Sequence, residues 1–225
     1  DRGARIEPEQ VVLTASTSEA YAHVFRALGD PGDAFLAPRP SYPLIEPLAA
    51  LEAARLEPYP LHYDGRWWLD REALERAITP HTRGLILVEP NNPTGSCLSP
   101  EEAAFVDTLA AARGIPLIVD EVFGDYVGDD VARRPTWAAP GGAALTFVMS
   151  GLSKVCGLPQ LKLGWIVVAG PDAARAEALA RLEWVADTFL SVATPVQNAL
   201  GGILAERHAF QAALEFALME ESQAG

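Results

Sequence analysis

The 225-residue chain is 49% apolar and 21% charged, enough for one large domain with a substantial core, and it reads as neither a disordered tail nor a repeat array. Its 30 acidic residues against 17 basic ones leave a formal charge of −13, which disfavours a general nucleic-acid or anionic-membrane binder. Cys97 and Cys156 alone cannot build a disulfide framework, no stretch approaches the roughly 20 apolar residues of a membrane span, and a reduced, cytoplasmic setting is expected.

In chain order, residues 11–14 (Val-Val-Leu-Thr) read as a strand, and 18–28 as a helix with Ala20, Val24, Ala27 and Leu28 on one face. A short strand over 34–37 leads through Pro38-Arg39-Pro40 into a helix expected over 42–51. Strands over 56–59 and 84–89 flank a helix over 70–78 that Asp70 can cap. Between them, Trp67-Trp68 follows a polar Tyr-Asp-Gly-Arg run and reads as a turn packed on the domain or as part of a subunit contact. Ser99-Pro100-Glu101-Glu102 combines an N-cap, a proline at the first helical position and a capping-box glutamate; it opens a helix that runs to Arg113 and is closed by Gly114. Apolar strands are expected at 116–120, 146–149 and 165–169, and Ala-rich helices at 171–185 and 195–218. Strands alternating with helices of these lengths predict an α/β fold, a mainly parallel mixed sheet flanked by helices. Ligands of such sheets sit beyond the carboxyl ends of the strands, where the unusual polar residues Asn91, Asn92, Asp120 and Lys154 fall.

Four windows carry chemistry. Thr14-Ala15-Ser16-Thr17-Ser18 passes from a strand end through small hydroxyl residues into a helix. The N–H groups and dipole of such a start suit a phosphate, although an ordinary N-cap uses the same residues. Glu89-Pro90-Asn91-Asn92-Pro93-Thr94-Gly95 follows an apolar strand as a stiff turn, either fixing an amide over a ligand or serving as turn chemistry alone. Asp120 closes the run Pro-Leu-Ile-Val and precedes Glu121; a carboxylate there pairs with a cation, meets a ligand or caps the next segment. The 17 basic residues are 15 Arg and two Lys, Lys154 and Lys162, eight positions apart in the Gly- and Ser-containing stretch 150–165. Lysine can lose its proton where arginine cannot, and an amine after a buried strand, between apolar flanks, can be desolvated and become nucleophilic, a solvated surface lysine being the usual alternative. His23, His62, His81 and His208 are scattered without metal-ligand spacing, so no metal site is expected.

Together with Tyr42 in Pro-Ser-Tyr-Pro, these windows resemble the class I and II aminotransferases, fold-type I enzymes that use pyridoxal 5′-phosphate. The Asn-Pro-Thr-Gly string, the Asp-Glu-Val segment and the Ser-Gly-Leu-Ser-Lys turn stand in the family's order, 28 residues from Asn92 to Asp120 and 34 from Asp120 to Lys154. The resemblance implies that Lys154 forms a Schiff base with the cofactor aldehyde and later shuttles the proton between Cα and C4′. It implies that Asp120 pairs with the pyridine nitrogen so that the ring acts as an electron sink, that Asn92 hydrogen-bonds the phenolic oxygen, and that Tyr42 stacks on the ring. Ser16, Thr17 and Ser18 would take the phosphate, joined by Ser150, Ser153 and Lys162. The implied reaction moves an amino group between an L-amino acid and a 2-oxo acid in a homodimer. A C–S lyase or decarboxylase on the same fold, or a non-catalytic cofactor-binding fragment, are the alternatives, because fold does not fix function.

Three positions depart from the family pattern. Lys162 stands where arginine is usual, so a bidentate fork on phosphate becomes a point charge. Phe123 stands where a tyrosine often contacts the phenolic oxygen, and Tyr126 can substitute only if the loop bends. Ser16 stands where glycine is common. Residues 1–210 are accordingly expected to be the cofactor-binding large domain, truncated on its N-terminal side, and 211–225 the start of a missing or degenerate small domain. In the family that small domain carries the arginine that grips the substrate α-carboxylate.

Overall fold

The structure, a computed structural model, describes residues 4–126 and 135–214. Its elements are β1 Val11–Thr14, α1 Thr17–Leu28, β2 Ala34–Arg39, α2 Ile45–Leu51, β3 Arg55–Tyr63, β4 Trp67–Leu69, α3 Arg71–Ala77 and β5 Thr82–Val88. They continue with α4 Pro100–Arg113, β6 Leu117–Asp120, β7 Thr146–Gly151, α5 Leu152–Val155, β8 Gly164–Ala169, α6 Asp172–Ala186 and α7 Thr194–Ala205. The strands form one sheet in the order β1-β8-β7-β6-β5-β2-β3-β4. From β3 to β7 neighbouring strands are parallel, β8 runs antiparallel to both β7 and β1, and β4 returns along β3 as a hairpin. This is the expected mainly parallel mixed sheet flanked by helices.

Both faces of the sheet are covered, which is why its central strands read as continuous apolar runs and not as alternating ones. Ile86, Val88, Ile118, Phe147 and Met149 pack against Ala20 and Val24 of α1, Ile45 of α2 and Leu182 of α6. Leu85, Leu87, Leu117, Val119 and Val148 face the other way, onto Leu74 of α3 and Val106 and Ala110 of α4. Among the described residues no helix is long and apolar enough to cross a membrane.

Three expectations need correction. The helix expected from Tyr42 starts only at Ile45, because the residue before a proline is pushed out of the helical region and Pro43 follows Tyr42; Tyr42 is left on the loop. Trp67 and Trp68 are no turn: they form β4, paired Tyr63↔Trp67 and His62↔Trp68, with Gly65 at φ +99 in the Asp-Gly connection that reverses the chain. The helix expected over 195–218 breaks after Ala205 and resumes over 207–214. Its last part lies outside the described residues, as does most of the segment 211–225 expected to begin a small domain.

The predicted capping box of α4 is present. Ser99 Oγ accepts from the Glu102 N–H at 3.2 Å, and Glu102 Oε2 accepts from the Ser99 N–H at 2.7 Å. Glu102 Oε1 also accepts from the Leu69 N–H at 2.8 Å, tying the helix start to β4. Ser99→Ala is expected to lower stability by about 1 kcal/mol, read by urea denaturation, without altering ligand binding at the carboxyl edge of the sheet.

Candidate active site

The strand order gathers the four chemical windows on one edge. The carboxyl ends of β1, β7, β6 and β5 and the amino end of the antiparallel β8 lie side by side, as the pairs Thr14↔Gly164, Gly151↔Gly164, Asp120↔Met149 and Val88↔Asp120 record. At about 4.8 Å per strand these five positions span roughly 19 Å. Along that row stand the helix start at 16–18, then Lys162 just before β8, Ser150 with Ser153 and Lys154 after β7, Asp120 ending β6, and Asn92 after β5. Tyr42 follows β2, the next strand along.

Two glycines let the row close up at its β1 end. A Cβ on Gly164 would lie 3.1 Å from Ser150 O, from Ser16 C and from Thr14 Oγ1, and one on Gly151 would lie 3.0 Å from Gly164 Cα. Because most of these neighbours are backbone atoms, they cannot swing aside. Gly164→Val is expected to push the 14–16 turn away from β7, weakening binding of a phosphate ester at least tenfold and lowering stability by about 1–3 kcal/mol. Isothermal titration with the phosphate ester and thermal unfolding check the two parts separately.

The helix start bears out the N-cap reading given to it. Ser16 is the N-cap of α1, its Oγ accepting from the Glu19 N–H at 3.1 Å. Thr14 Oγ1 donates to Ser16 O at 2.9 Å, and the Ala15 N–H donates to Glu19 Oε2 at 2.6 Å, which fixes the turn. Thr17 and Ser18 occupy the first helical positions. Their N–H groups have no intrahelical acceptor by position and sit at the positive end of the dipole.

Asp120 is 3% exposed. Tyr21 O–H donates to its Oδ2 at 3.2 Å and the Val122 N–H to its Oδ1 at 3.0 Å, the latter closing the turn that starts the next segment. Burial pushes the Asp120 carboxyl up to about 6; the two hydrogen bonds pull it partly back, and neighbouring Glu121 pushes further. Among the described residues no cation pairs with it. A buried carboxylate held this high is relieved by any cationic group brought to the strand end. Glu121 serves structure instead, accepting from Thr136 Oγ1 at 2.7 Å and from the Trp137 N–H at 2.8 Å.

The two asparagines differ in their surroundings. Asn91, 5% exposed, donates through Nδ2 to Pro40 O at 3.2 Å and to Thr94 Oγ1 at 2.9 Å, so it locks the turn and ties it to the loop that carries Tyr42. Asn92 is half-buried and makes none of these bonds. Lys154 lies on the short α5 with its Nζ 5.7 Å from the centre of the Phe123 ring, so the two motifs meet in space. Its side chain is exposed: burial falls on Leu152, Val155 and Cys156 around it, and desolvation of the amine is not supplied by this chain's own packing. The loop after Asp120 does bend, and Tyr126 O–H donates to the Lys154 carbonyl at 2.6 Å. Lys162 is exposed, in a left-handed conformation at φ +51 two residues before Gly164. Tyr21 carried no motif, and Gly151 and Gly164 lay inside the stretch 150–165 with no role of their own assigned. The available signal for Tyr21 was a hydroxyl on the apolar face of α1, since a buried tyrosine needs a partner for its O–H.

The residues present fit pyridoxal phosphate: a helix start that presents backbone N–H groups, a buried carboxylate with no cation among the described residues, and a primary amine on the neighbouring strand end. The family model described as Aminotransferase class I and II matches residues 2–223. A Mycobacterium tuberculosis protein named "Probable N-succinyldiaminopimelate aminotransferase DapC" is 35% identical over 220 residues, 96% of this chain and 54% of its own length. Glutamate-pyruvate aminotransferase AlaA of Escherichia coli K12 is 30% identical over 206 residues, 89% of this chain and 51% of its own. Among solved structures, alanine aminotransferase from Pyrococcus furiosus superposes with a TM-score of 0.83 at 27% identity, covering 94% of this chain and 54% of that one. The chain therefore spans about half the length of the curated relatives it matches.

Proposed function

This chain belongs to the class I and II aminotransferase family, and on that premise we propose that it is the cofactor-holding part of an enzyme moving an amino group between an L-amino acid and a 2-oxo acid. The observation that carries the reading is Asp120: a buried carboxylate with no cation beside it among the described residues, on the strand between those that lead to Lys154 and to Asn92. Bound pyridoxal phosphate supplies an aldehyde for a primary amine and a ring that withdraws electrons from the amino acid Cα.

The chain's own residues do the rest. Lys154 would be the primary amine that holds the cofactor's aldehyde and, as general base and acid, would take and return the proton of the substrate Cα. Asp120, ionised, would pair with the pyridine nitrogen and keep it protonated. Thr17 and Ser18 present backbone N–H groups and hydroxyls to the phosphate, with Ser16, Ser150 and Ser153 as further hydroxyl donors and Lys162 as a point charge. Asn92 would donate to the phenolic oxygen, Tyr42 would stack on the ring, and Phe123 would offer an apolar wall where a hydroxyl would add a second donor. We place the protein in the cytoplasm as a homodimer. The family resemblance supports the dimer, and a chain with only two cysteines, too few for a disulfide framework, fits a reducing compartment.

The test is amino transfer from a panel of L-amino acids, glutamate included, to pyruvate and 2-oxoglutarate with pyridoxal phosphate present. Formation of the matching amino acid in equal amount supports the proposal. Release of ammonia and pyruvate without transfer replaces it with a β-eliminating lyase.

A further inference from the structure

The orientation of Asp120 depends on a residue outside every motif. Tyr21 is 1% exposed, beside Phe25 at a ring separation of 5.8 Å, and its O–H donates to Asp120 Oδ2 at 3.2 Å. With the Val122 N–H on Oδ1 at 3.0 Å, each carboxylate oxygen has one donor and keeps acceptor capacity for a further partner. The two donors come from different segments, so the carboxylate plane is held by α1 as well as by its own turn. Burial, with the nearby Asp120 charge adding to it, pushes the Tyr21 phenol well above its ordinary value; it is a neutral donor wherever the protein is folded.

Tyr21 follows Thr17 by four residues, about one turn and roughly 6 Å along the helix. The helix whose first turn carries Thr17 and Ser18 thus also carries the hydroxyl on Asp120. We propose that Tyr21 is a positioning residue: it holds the Asp120 carboxylate toward a cationic ring nitrogen, and the rigid helix α1 thereby sets the separation between the phosphate cradle and the nitrogen's partner. The 3.2 Å contact is longer than the about 2.5–2.7 Å of an O–H bond to an ionised carboxylate; it is expected to tighten once a cation fixes the charge on Asp120. The other titratable groups acting on the pair are Glu121, Tyr42 and Tyr59.

This inference rests on the function proposed above for its cofactor, but its first readout does not. In cofactor-free protein the Asp120 titration, followed by carboxyl 13C NMR, is expected to centre at about 6. In Tyr21→Phe, which removes one oxygen and keeps the ring, the midpoint is expected to rise by about one unit. Affinity for pyridoxal phosphate is expected to fall about tenfold in the same variant, and that difference to vanish in an Asp120→Ala background. Should Tyr21→Phe fold poorly, Tyr21→Leu carries the same titration through different packing. An Asp120 midpoint identical in parent and variant overturns the positioning role, whatever the cofactor does. A parent protein that binds no pyridoxal phosphate overturns the function reading, whatever the titration shows.

Discussion

Lys154→Ala is expected to abolish amino transfer and the absorbance band that pyridoxal phosphate develops near the visible edge when bound to a primary amine. The proton transfer at Cα alone accounts for about 10²–10⁴-fold in rate, and loss of the amine that receives the aldehyde adds to it. Lys162 offers no substitute. It stands eight residues on, beside the start of β8 and the phosphate cradle, whereas Lys154 follows β7, the strand next to Asp120. Lys154→Arg is expected to fail equally, because a guanidinium keeps its charge but cannot release its proton. Lys162→Arg, in contrast, is expected to retain activity, since a cation for the phosphate is all that position supplies.

Asp120→Asn is expected to have two effects of opposite sign. Transfer falls by at least about 10²-fold, the usual cost of removing one electrostatic partner of the developing charge. The cofactor-free protein becomes more stable at pH 7. The folded Asp120 carboxyl sits at about 6, above its ordinary value of 3.8, so the folded state binds that proton more tightly than the unfolded one. The stability this provides is fully present below the ordinary value and drains away as pH rises through about 6, leaving the charged, buried group as a cost at neutral pH. Asparagine removes the cost, and the expected gain is about 2–3 kcal/mol at pH 7, shrinking to nothing toward pH 4. Urea denaturation at the two pH values reads it directly. A loss of stability in Asp120→Asn at pH 7 would mean that a cation already neutralises the site. The pairing of lost activity with gained stability marks a group kept for its task at the expense of the fold.

The strands that build the site were legible as apolar runs, β6 and β7 because they are buried on both faces and the edge strand β1 although it is only partly buried. Val11 to Thr14, Leu117 to Asp120 and Thr146 to Met149 stand out as short apolar runs between Gly and Pro punctuation, and α4 announces itself through Ser99, Pro100 and Glu102. The β3–β4 hairpin was less visible: Pro58 and Pro60 interrupt β3, and prolines argue against a strand unless it lies toward an edge, as β3 does here. Asp120 and Lys154 were conspicuous for the same local reason, a charged group in apolar surroundings. Tyr21 was not, because a tyrosine on the inner face of a helix looks like core until its partner, 99 residues away, is placed beside it. Gly151 and Gly164 were hidden for a related reason. Their need for no side chain arises only when β8 inserts antiparallel between β1 and β7, a non-local pairing that no run of neighbouring residues encodes.

The central claim is that this edge of the sheet holds pyridoxal phosphate through Lys154. Because the chain has only two lysines, incubation with the cofactor, reduction with borohydride and peptide mapping give an unambiguous answer. The account predicts a stable pyridoxyl adduct on the peptide containing Lys154, prevented by Lys154→Ala and left in place by Lys162→Arg. An adduct confined to Lys162, or none at all at saturating cofactor, would contradict it.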